Sequence, residues 1–299
     1  MKESSAKIKL IISMFIFGTI GIFRNYIPFP SGVIAFVRGF IGMLFLILVI
    51  AIKREKLNLA AIKKNLWLLI LSGAFIGINW ILLFEAYRYT TVSTATLCYY
   101  MAPVFVIVAS PLVLKERLTL KKIICTIVAI TGMVIISGVF TDGGTNIKGI
   151  LLGLGAAALY ATVIFFNKFI KGLTDYEKTV IQLGGAAIAI LPYVLLTEDI
   201  GALNADPTTI IMLVVVGVIH TGLAYMLYFG SIENIKAQTA AIFSYIDPVV
   251  ALILSAIVLK EPFTWVQLLG SVMILGAALV SEIQIKEKNY KNNVKVLDK

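Results

Sequence analysis

Histidine and cysteine are scarce in this chain, with one His and two Cys among 299 residues, and charged side chains make up only 14% of it. Transition-metal sites draw on clusters of those two residue types, so the scarcity argues against that chemistry. No His-Glu-x-x-His and no Gly-x-Ser-x-Gly occurs, which leaves metallohydrolase and serine-nucleophile readings without their reacting groups. No Gly-x-x-x-x-Gly-Lys-Ser/Thr occurs either, so the chain carries no phosphate loop for ATP. Cys98 and Cys125 both sit in apolar segments and read as small buried hydrophobes rather than a disulfide. No cofactor and no metal is called for, and the chain does not read as an enzyme.

What replaces charge is apolar length. Sixty per cent of the residues are hydrophobic and the mean hydropathy is +0.97, the composition of a chain that uses lipid as solvent. Apolar segments run over 8–23, 31–52, 66–87, 93–114 and 122–139, then 149–170, 177–196, 209–229, 237–259 and 265–285. Each is close to the roughly twenty residues needed to cross the hydrocarbon. With no water at that depth to take backbone hydrogen bonds, helix is the required conformation. The expected fold is all-α and integral to the membrane, with ten transmembrane helices. The first segment, flanked by Lys2, Lys7 and Lys9, reads as the first membrane helix rather than a removed leader, because no small-residue cleavage site follows it.

The net charge of +10 invites a nucleic-acid reading, but its distribution argues for topology. One side collects Lys2, Lys7 and Lys9, the 53–64 loop, the 115–122 loop, the 168–178 loop, Lys236 and the basic tail 286–299. The other side holds Arg24, Arg88, Lys148 and Lys260, with Arg38 inside a helix. By the positive-inside rule both termini are cytoplasmic, in a multi-pass protein of the cell (inner or plasma) membrane. Nucleic acid is not an expected partner; the lipid bilayer is.

One stretch appears twice. Tyr100, Pro103, Lys115, Glu116 and Thr119 recur as Tyr245, Pro248, Lys260, Glu261 and Thr264, all at an offset of 145. Phe17-Gly18 matches Tyr160-Ala161 at 143, Val37-Arg38-Gly39 matches Ile181-Gln182-Leu183 at 144, and Thr94-Ala95 matches Thr239-Ala240 at 145. Repeats of this kind govern the whole fold. Five spans per half is an odd number, so equivalent helices cross in opposite directions and Lys115-Glu116 and Lys260-Glu261 fall on opposite sides. The halves, 8–140 and 149–285, are thus expected to be inverted five-helix repeats, the usual basis of alternating access.

These residues carry a family resemblance. The aromatic-Gly pair Phe17-Gly18, Arg38 early in the second helix, and Ala86-Tyr87-Arg88-Tyr89-Thr90 before the fourth helix occur in order. Asp247-Pro248 and the Leu-x-Glu stretches at Leu114 and Leu259 follow. The chain resembles the drug/metabolite transporter superfamily, EamA type, over about 8–285. The resemblance implies a secondary transporter of small metabolites, most plausibly amino acids or related zwitterions, working as an exporter. A multidrug or quaternary-amine carrier is the alternative within transport. Proton or sodium coupling is open, since no ATP engine is encoded. In one respect the chain departs from the pattern: Ala102 stands where the family often has an acid, while Asp247 is retained in the second half.

Candidate site residues are those whose chemistry is costly at mid-membrane depth. Asp247 precedes Pro248, and Pro103 occupies the equivalent place in the first half; each proline frees carbonyls one turn back. They read either as a substrate site and gate or as packed kinks. His220 is a proton relay or a neutral, hydrogen-bonded histidine. Asn79 and Trp80 interrupt an apolar run. Tyr99, Tyr100 and Tyr245 are too deep for the interfacial belt and face the bundle interior. Arg38 is expected to form a structural ion pair with Asp247 or Glu85, or to hold a substrate carboxylate. Tyr225 and Tyr228 read as interfacial anchors. An intramembrane enzyme would need His220 and Asp247 in contact.

Overall fold

The computed structural model describes residues 3–24, 26–54, 56–90, 92–137, 147–203, 206–258 and 264–282. The loop 141–146, the Lys260-Glu261 pair and the tail 286–299 lie outside the described residues. The first half holds α1 (Glu3–Arg24), α2 (Ser31–Lys53), α3 (Leu59–Tyr89), α4 (Val92–Tyr99), α5 (Ala102–Val113) and α6 (Leu120–Ser137). The second holds α7 (Ile147–Phe169), α8 (Asp175–Thr197), α9 (Pro207–Val215), a π-helical stretch (Val216–Leu223) and α10 (Ala224–Ile232). It ends with α11 (Ala237–Phe243), α12 (Ile246–Val258) and α13 (Trp265–Glu282). Every regular element among the described residues is helical.

Seven helical runs are long and apolar enough to cross a bilayer, counting α9 through α10 as one and α11 with α12 as another. The other three expected spans are shorter or broken: 92–113, Leu120–Ser137 and Trp265–Glu282. Many large apolar side chains face outward. Leu112, Leu196 and Trp265 are each more than four-fifths exposed (86%, 84% and 85%), which suits contact with lipid and not with water.

Helix starts follow their capping residues. The Asn58 side chain accepts from Ala61 N, so α3 begins seven residues before the expected 66. Thr174 and Glu177 form a reciprocal capping box at α8, which satisfies two otherwise orphan amides. Asp206 caps α9 ahead of Pro207. The breaks follow proline. Pro103 stands in the first turn of α5 and Pro248 in the first turn of α12, so each expected span divides just before it, at Tyr100-Met101 and at Ser244-Tyr245.

Packing exchanges the two halves. α3 packs on α7 and α8, and the equivalent π stretch and α10 pack on α1 and α2. α2 meets α8, its own equivalent, and α6 meets α13, its own equivalent. Glycine contacts fix the register. A methyl on Gly73 would stand 2.7 Å from Gln182 O and 3.0 Å from Gly185 Cα, while one on Gly217 would stand 2.5 Å from Ile41 Cγ2. Gly73 to Gly217 and Ile41 to Gly185 are both steps of 144. One turn later Gly77 approaches Ala186 and Ala189, and Gly222 approaches Gly42 and Phe45. Gly77 to Gly222 is a step of 145. The second half has therefore gained one residue between Gly217 and Gly222, inside the π-helical stretch. A π-bulge is how a helix absorbs a single insertion without unwinding.

One end of the bundle is tied across the halves. Lys9 Nζ pairs with Asp175 (3.1 Å), Asn58 N donates to Glu177 Oε1 (2.6 Å) and Asn65 Nδ2 donates to Lys171 O (3.0 Å). Glu116 accepts from Ala237 N (2.8 Å) and Gln238 N (3.3 Å), and Gln238 Nε2 donates to Ser110 Oγ (2.7 Å). This is the end that bears Lys53, Lys115, Lys171 and Lys236.

Candidate functional site

A cavity of about 410 Å³ lies between the halves. Its wall reaches Gly21, Ile27, Ser31 and Tyr87, all toward the end opposite the lysines. No residue of the tied, Lys-rich end lines it. The space is therefore approached from one side and closed on the other.

Repeat partners face each other across this cavity. Phe17 and Tyr160, Trp80 and Tyr225, Tyr99 and Ser244, and Ala102 and Asp247 all line it. The aromatic members interlock: Phe17 meets Tyr225 edge-on (5.0 Å between centroids), Trp80 meets Tyr225 (6.0 Å), and Tyr160 meets Tyr99 (5.7 Å). Behind them Tyr228 stacks on Tyr160 at 6.2 Å. Tyr225 and Tyr228 are thus interior residues, 8% and 0% exposed, and not the interfacial anchors that their position along the helix suggested. Sequence reasoning did not place Phe17, Tyr160, Tyr225 or Ser244 at the site, although the repeat pairs Tyr225 with Trp80 and Ser244 with Tyr99, and Phe17 with Tyr160.

Two charged groups break the symmetry. Arg38 lines the cavity with its guanidinium 3.9 Å above the Trp80 ring centroid. Its buried Nε has no hydrogen-bond partner among the described residues. The repeat partner, Gln182, lies outside the cavity and donates to Ser72 Oγ and Asn167 Oδ1. The ion pair expected for Arg38 is absent among the described residues: Glu85 instead accepts from Tyr193 OH (2.7 Å) and Arg88 (3.0 Å). Sequence gives the depth of a charge but not the rotation of its helix, and rotation turns Arg38 to Trp80. Asp247 is half-buried and lines the cavity, whereas its partner position holds Ala102.

The remaining candidates divide. Trp80, Tyr99, Tyr100 and Pro103 line the cavity. Pro248 and Tyr245 do not, but Tyr245 OH donates to Tyr100 O at 3.1 Å, joining the two helix breaks. Asn79 is turned away and donates to Ala156 O on α7, a helix-to-helix bond of the kind worth about 1 kcal/mol in membranes. His220 lies in the π-helical stretch, outside the cavity wall. Its Nε2 stands 2.7 Å from Thr19 Oγ1 and its ring 4.7 Å from Phe23. The Thr19 hydroxyl donates to Ile16 O, so the imidazole is the donor in that contact. His220 stands outside the cavity wall that Asp247 lines, and the contact between them that an intramembrane enzyme requires is absent among the described residues. No group of three or more acidic, His or Cys side chains that could hold a metal occurs among the described residues.

The sequence profile of the EamA-like transporter family matches this chain twice, over residues 5–138 and 147–282. The chain belongs to the EamA-like transporter family. It is 30% identical over 297 residues to uncharacterized transporter YxxF of Bacillus subtilis (strain 168), covering 96% of this chain and 92% of that one. An uncharacterized transporter of Clostridium kluyveri is 28% identical over 280 residues, 91% of this chain and 86% of its own length. A solved structure titled "Crystal structure of protein" superposes with a TM-score of 0.81 at 16% identity, over 94% of this chain and 97% of that chain. As an EamA-like protein the chain is a multi-pass membrane transporter, and its family implies a small-molecule substrate.

Proposed function

We propose that this EamA-like transporter is a secondary transporter that carries a small zwitterion, such as an amino acid, by alternating access. The observation that carries the reading is the buried, unpartnered Nε of Arg38 at the wall of an aromatic cavity. A guanidinium held over Trp80, without a carboxylate of its own, is matched to a carboxylate supplied by the cargo, since planar bidentate pairing is what Arg offers over Lys. The ring faces of Tyr99, Tyr160 and Tyr225 suit the cargo's apolar portion and its ammonium group. The full arrangement is ten spans in two inverted repeats, 8–140 and 149–285, with both termini cytoplasmic in the cell membrane. The Lys-rich end is then the closed, inner end and the cavity opens outward. Export is the direction assigned, on the family resemblance. A drug or quaternary-amine carrier is the second reading, favoured by the same aromatic walls with Asp247 as counter-ion.

Thermal shift of the purified protein and counterflow in proteoliposomes separate the two. A ligand present at 100 times its Kd raises the stability by about 2.7 kcal/mol. Amino acids are expected to shift the wild-type melting temperature. Arg38→Lys is expected to weaken their effect at least roughly tenfold, because the fork and the stacking are lost while the charge stays. Shifts by quaternary amines alone, abolished by Asp247→Asn and indifferent to Arg38→Lys, would replace the zwitterion with a cation.

A further inference from the structure

We infer that the start of α3 is a docking surface for an anionic phospholipid of the leaflet at the Lys-rich end, with Lys63 and Lys64 taking its phosphate. The inference needs only a membrane protein and is independent of the cargo. α3 is 31 residues long, about 46 Å at 1.5 Å per residue, against a hydrocarbon layer of about 30 Å. Its first turns, ahead of the apolar run that begins at Leu66, therefore lie at headgroup depth. Packing fixes how this segment is rotated. Ala61, Ile62, Leu68 and Leu69 cluster with Ile170, Leu173 and Ile181 of the second half, and Asn65 Nδ2 donates to Lys171 O (3.0 Å). The opposite face carries Leu59, Lys63, Lys64, Leu66, Trp67 and Ile70, all exposed, at the steps of three and four that share one side of a helix.

This exposed face meets lipid deeper down, at Ile70 and at Trp67, which is 76% exposed. Trp67 stands where indole rings anchor, at the boundary between acyl chain and headgroup. Lys63 and Lys64 lie one turn further out, and the exposed Leu59 and Leu57 further still. Leucines on the outer side of a lysine pair suit the headgroup layer better than open water. In that layer each lysine stem lies along the lipid and its ammonium reaches a phosphate. Arg54 and Lys56, exposed in the connection from α2 to α3, add charge of the same sign. None of these four side chains forms an ion pair among the described residues. The described carboxylates of neighbouring elements are already engaged: Asp175 by Lys9, Glu177 by Asn58 N and Thr174, and Glu233 by Lys178 and Lys171. Charge complementarity therefore favours a headgroup of net negative charge over a zwitterionic one.

Fluorescence quenching by brominated lipids tests this on the full-length protein in vesicles. The chain has three tryptophans. With Trp265→Phe in place, Trp67 is the lipid-facing reporter, and Trp80, only 4% exposed, gives a constant background. Brominated phosphatidylglycerol is titrated into phosphatidylcholine, and brominated phosphatidylcholine into phosphatidylglycerol. Phosphatidylglycerol is expected to be preferred roughly tenfold beside Trp67. Adding Lys63→Gln with Lys64→Gln is expected to bring the preference close to one. Lys115→Gln with Arg117→Gln removes the same charge from another exposed place at that end and is expected to keep the preference. Equal quenching by the two lipids in the parent would reduce the lysines to topological charge and overturn the inference. A preference that survives Lys63→Gln with Lys64→Gln would overturn it too, as would one that Lys115→Gln with Arg117→Gln abolishes. Native mass spectrometry guards against Trp265→Phe failing to fold, by counting the phosphatidylglycerol retained on the unaltered protein and on Lys63→Gln with Lys64→Gln. Equal retention on those two would again sink the idea. No flux is measured, so the transport reading stands or falls by its own test.

Discussion

Lys178 is completely buried, and an ammonium in that position persists only with a partner. The partner is Glu233, whose Oε2 lies 2.8 Å from Nζ, with Lys171 at 3.6 Å from the other oxygen. Burial pushes the Glu233 carboxyl up, but the bond from Lys178 and the charges of Lys178 and Lys171 outweigh it and hold the carboxyl below its ordinary value. A carboxyl lowered on folding contributes stability that is present above its unfolded pKa and lost as the pH falls through the folded one. Glu233→Gln is therefore expected to cost about 2–3 kcal/mol at neutral pH, somewhat less than the ~3–5 of a fully buried pair because Glu233 is partly exposed. It is also expected to flatten the acid limb of a melting-temperature profile. A variant as stable as wild type at pH 7 would mean that the Lys178–Glu233 pair does not hold the fold together. Single residues were also where the sequence was least informative. It marked Arg38 and Asp247 by their cost in lipid, and both line the cavity. It could not say that Arg38 turns to Trp80, nor that Asn79 turns away to α7, because both depend on how neighbouring helices are rotated.

Helices were far more legible, because lipid leaves the backbone one choice and a run of apolar residues states its length. The boundaries moved where a capping side chain intervened, as at Asn58, or where proline divided a span. The π-helical stretch left a trace that could be read only with packing in hand. The repeat offset rises from 144 at Val37 to 145 at Thr94, but the glycine contacts are what locate the extra residue between Gly217 and Gly222. Close approach of the spans makes a prediction at this scale. Gly73→Ala places a methyl 2.7 Å from Gln182 O, a backbone atom that cannot swing aside, and is expected to cost about 1–3 kcal/mol. Gly276→Ala meets nothing within 4 Å and is expected to be neutral or up to ~1 kcal/mol stabilising, as helix propensity favours. Thermal melting in detergent distinguishes them, and equal effects would show that α3 and α8 do not pack as closely as described.

Across the whole molecule the most extensive helix contacts, α3 with α7 and α8, α6 with α13, and α2 with α8, all join one half to the other. Within a half, neighbours such as α2 and α3 touch little. The repeats are thus units of sequence without being units of folding. Their relation is that of subunits in an isologous dimer, where the same surface serves both sides and neither partner has a core of its own. Fragments 1–140 and 147–299 should each be degraded when expressed alone, yet be recovered as a pair when co-expressed, in a pull-down from membranes. Survival of either fragment by itself would contradict the packing. Helix-by-helix insertion during synthesis must also leave the first half incomplete until the second arrives. Covalent linkage then sets the local concentration of one half around the other, and the protein is in effect a dimer whose dissociation has been made impossible.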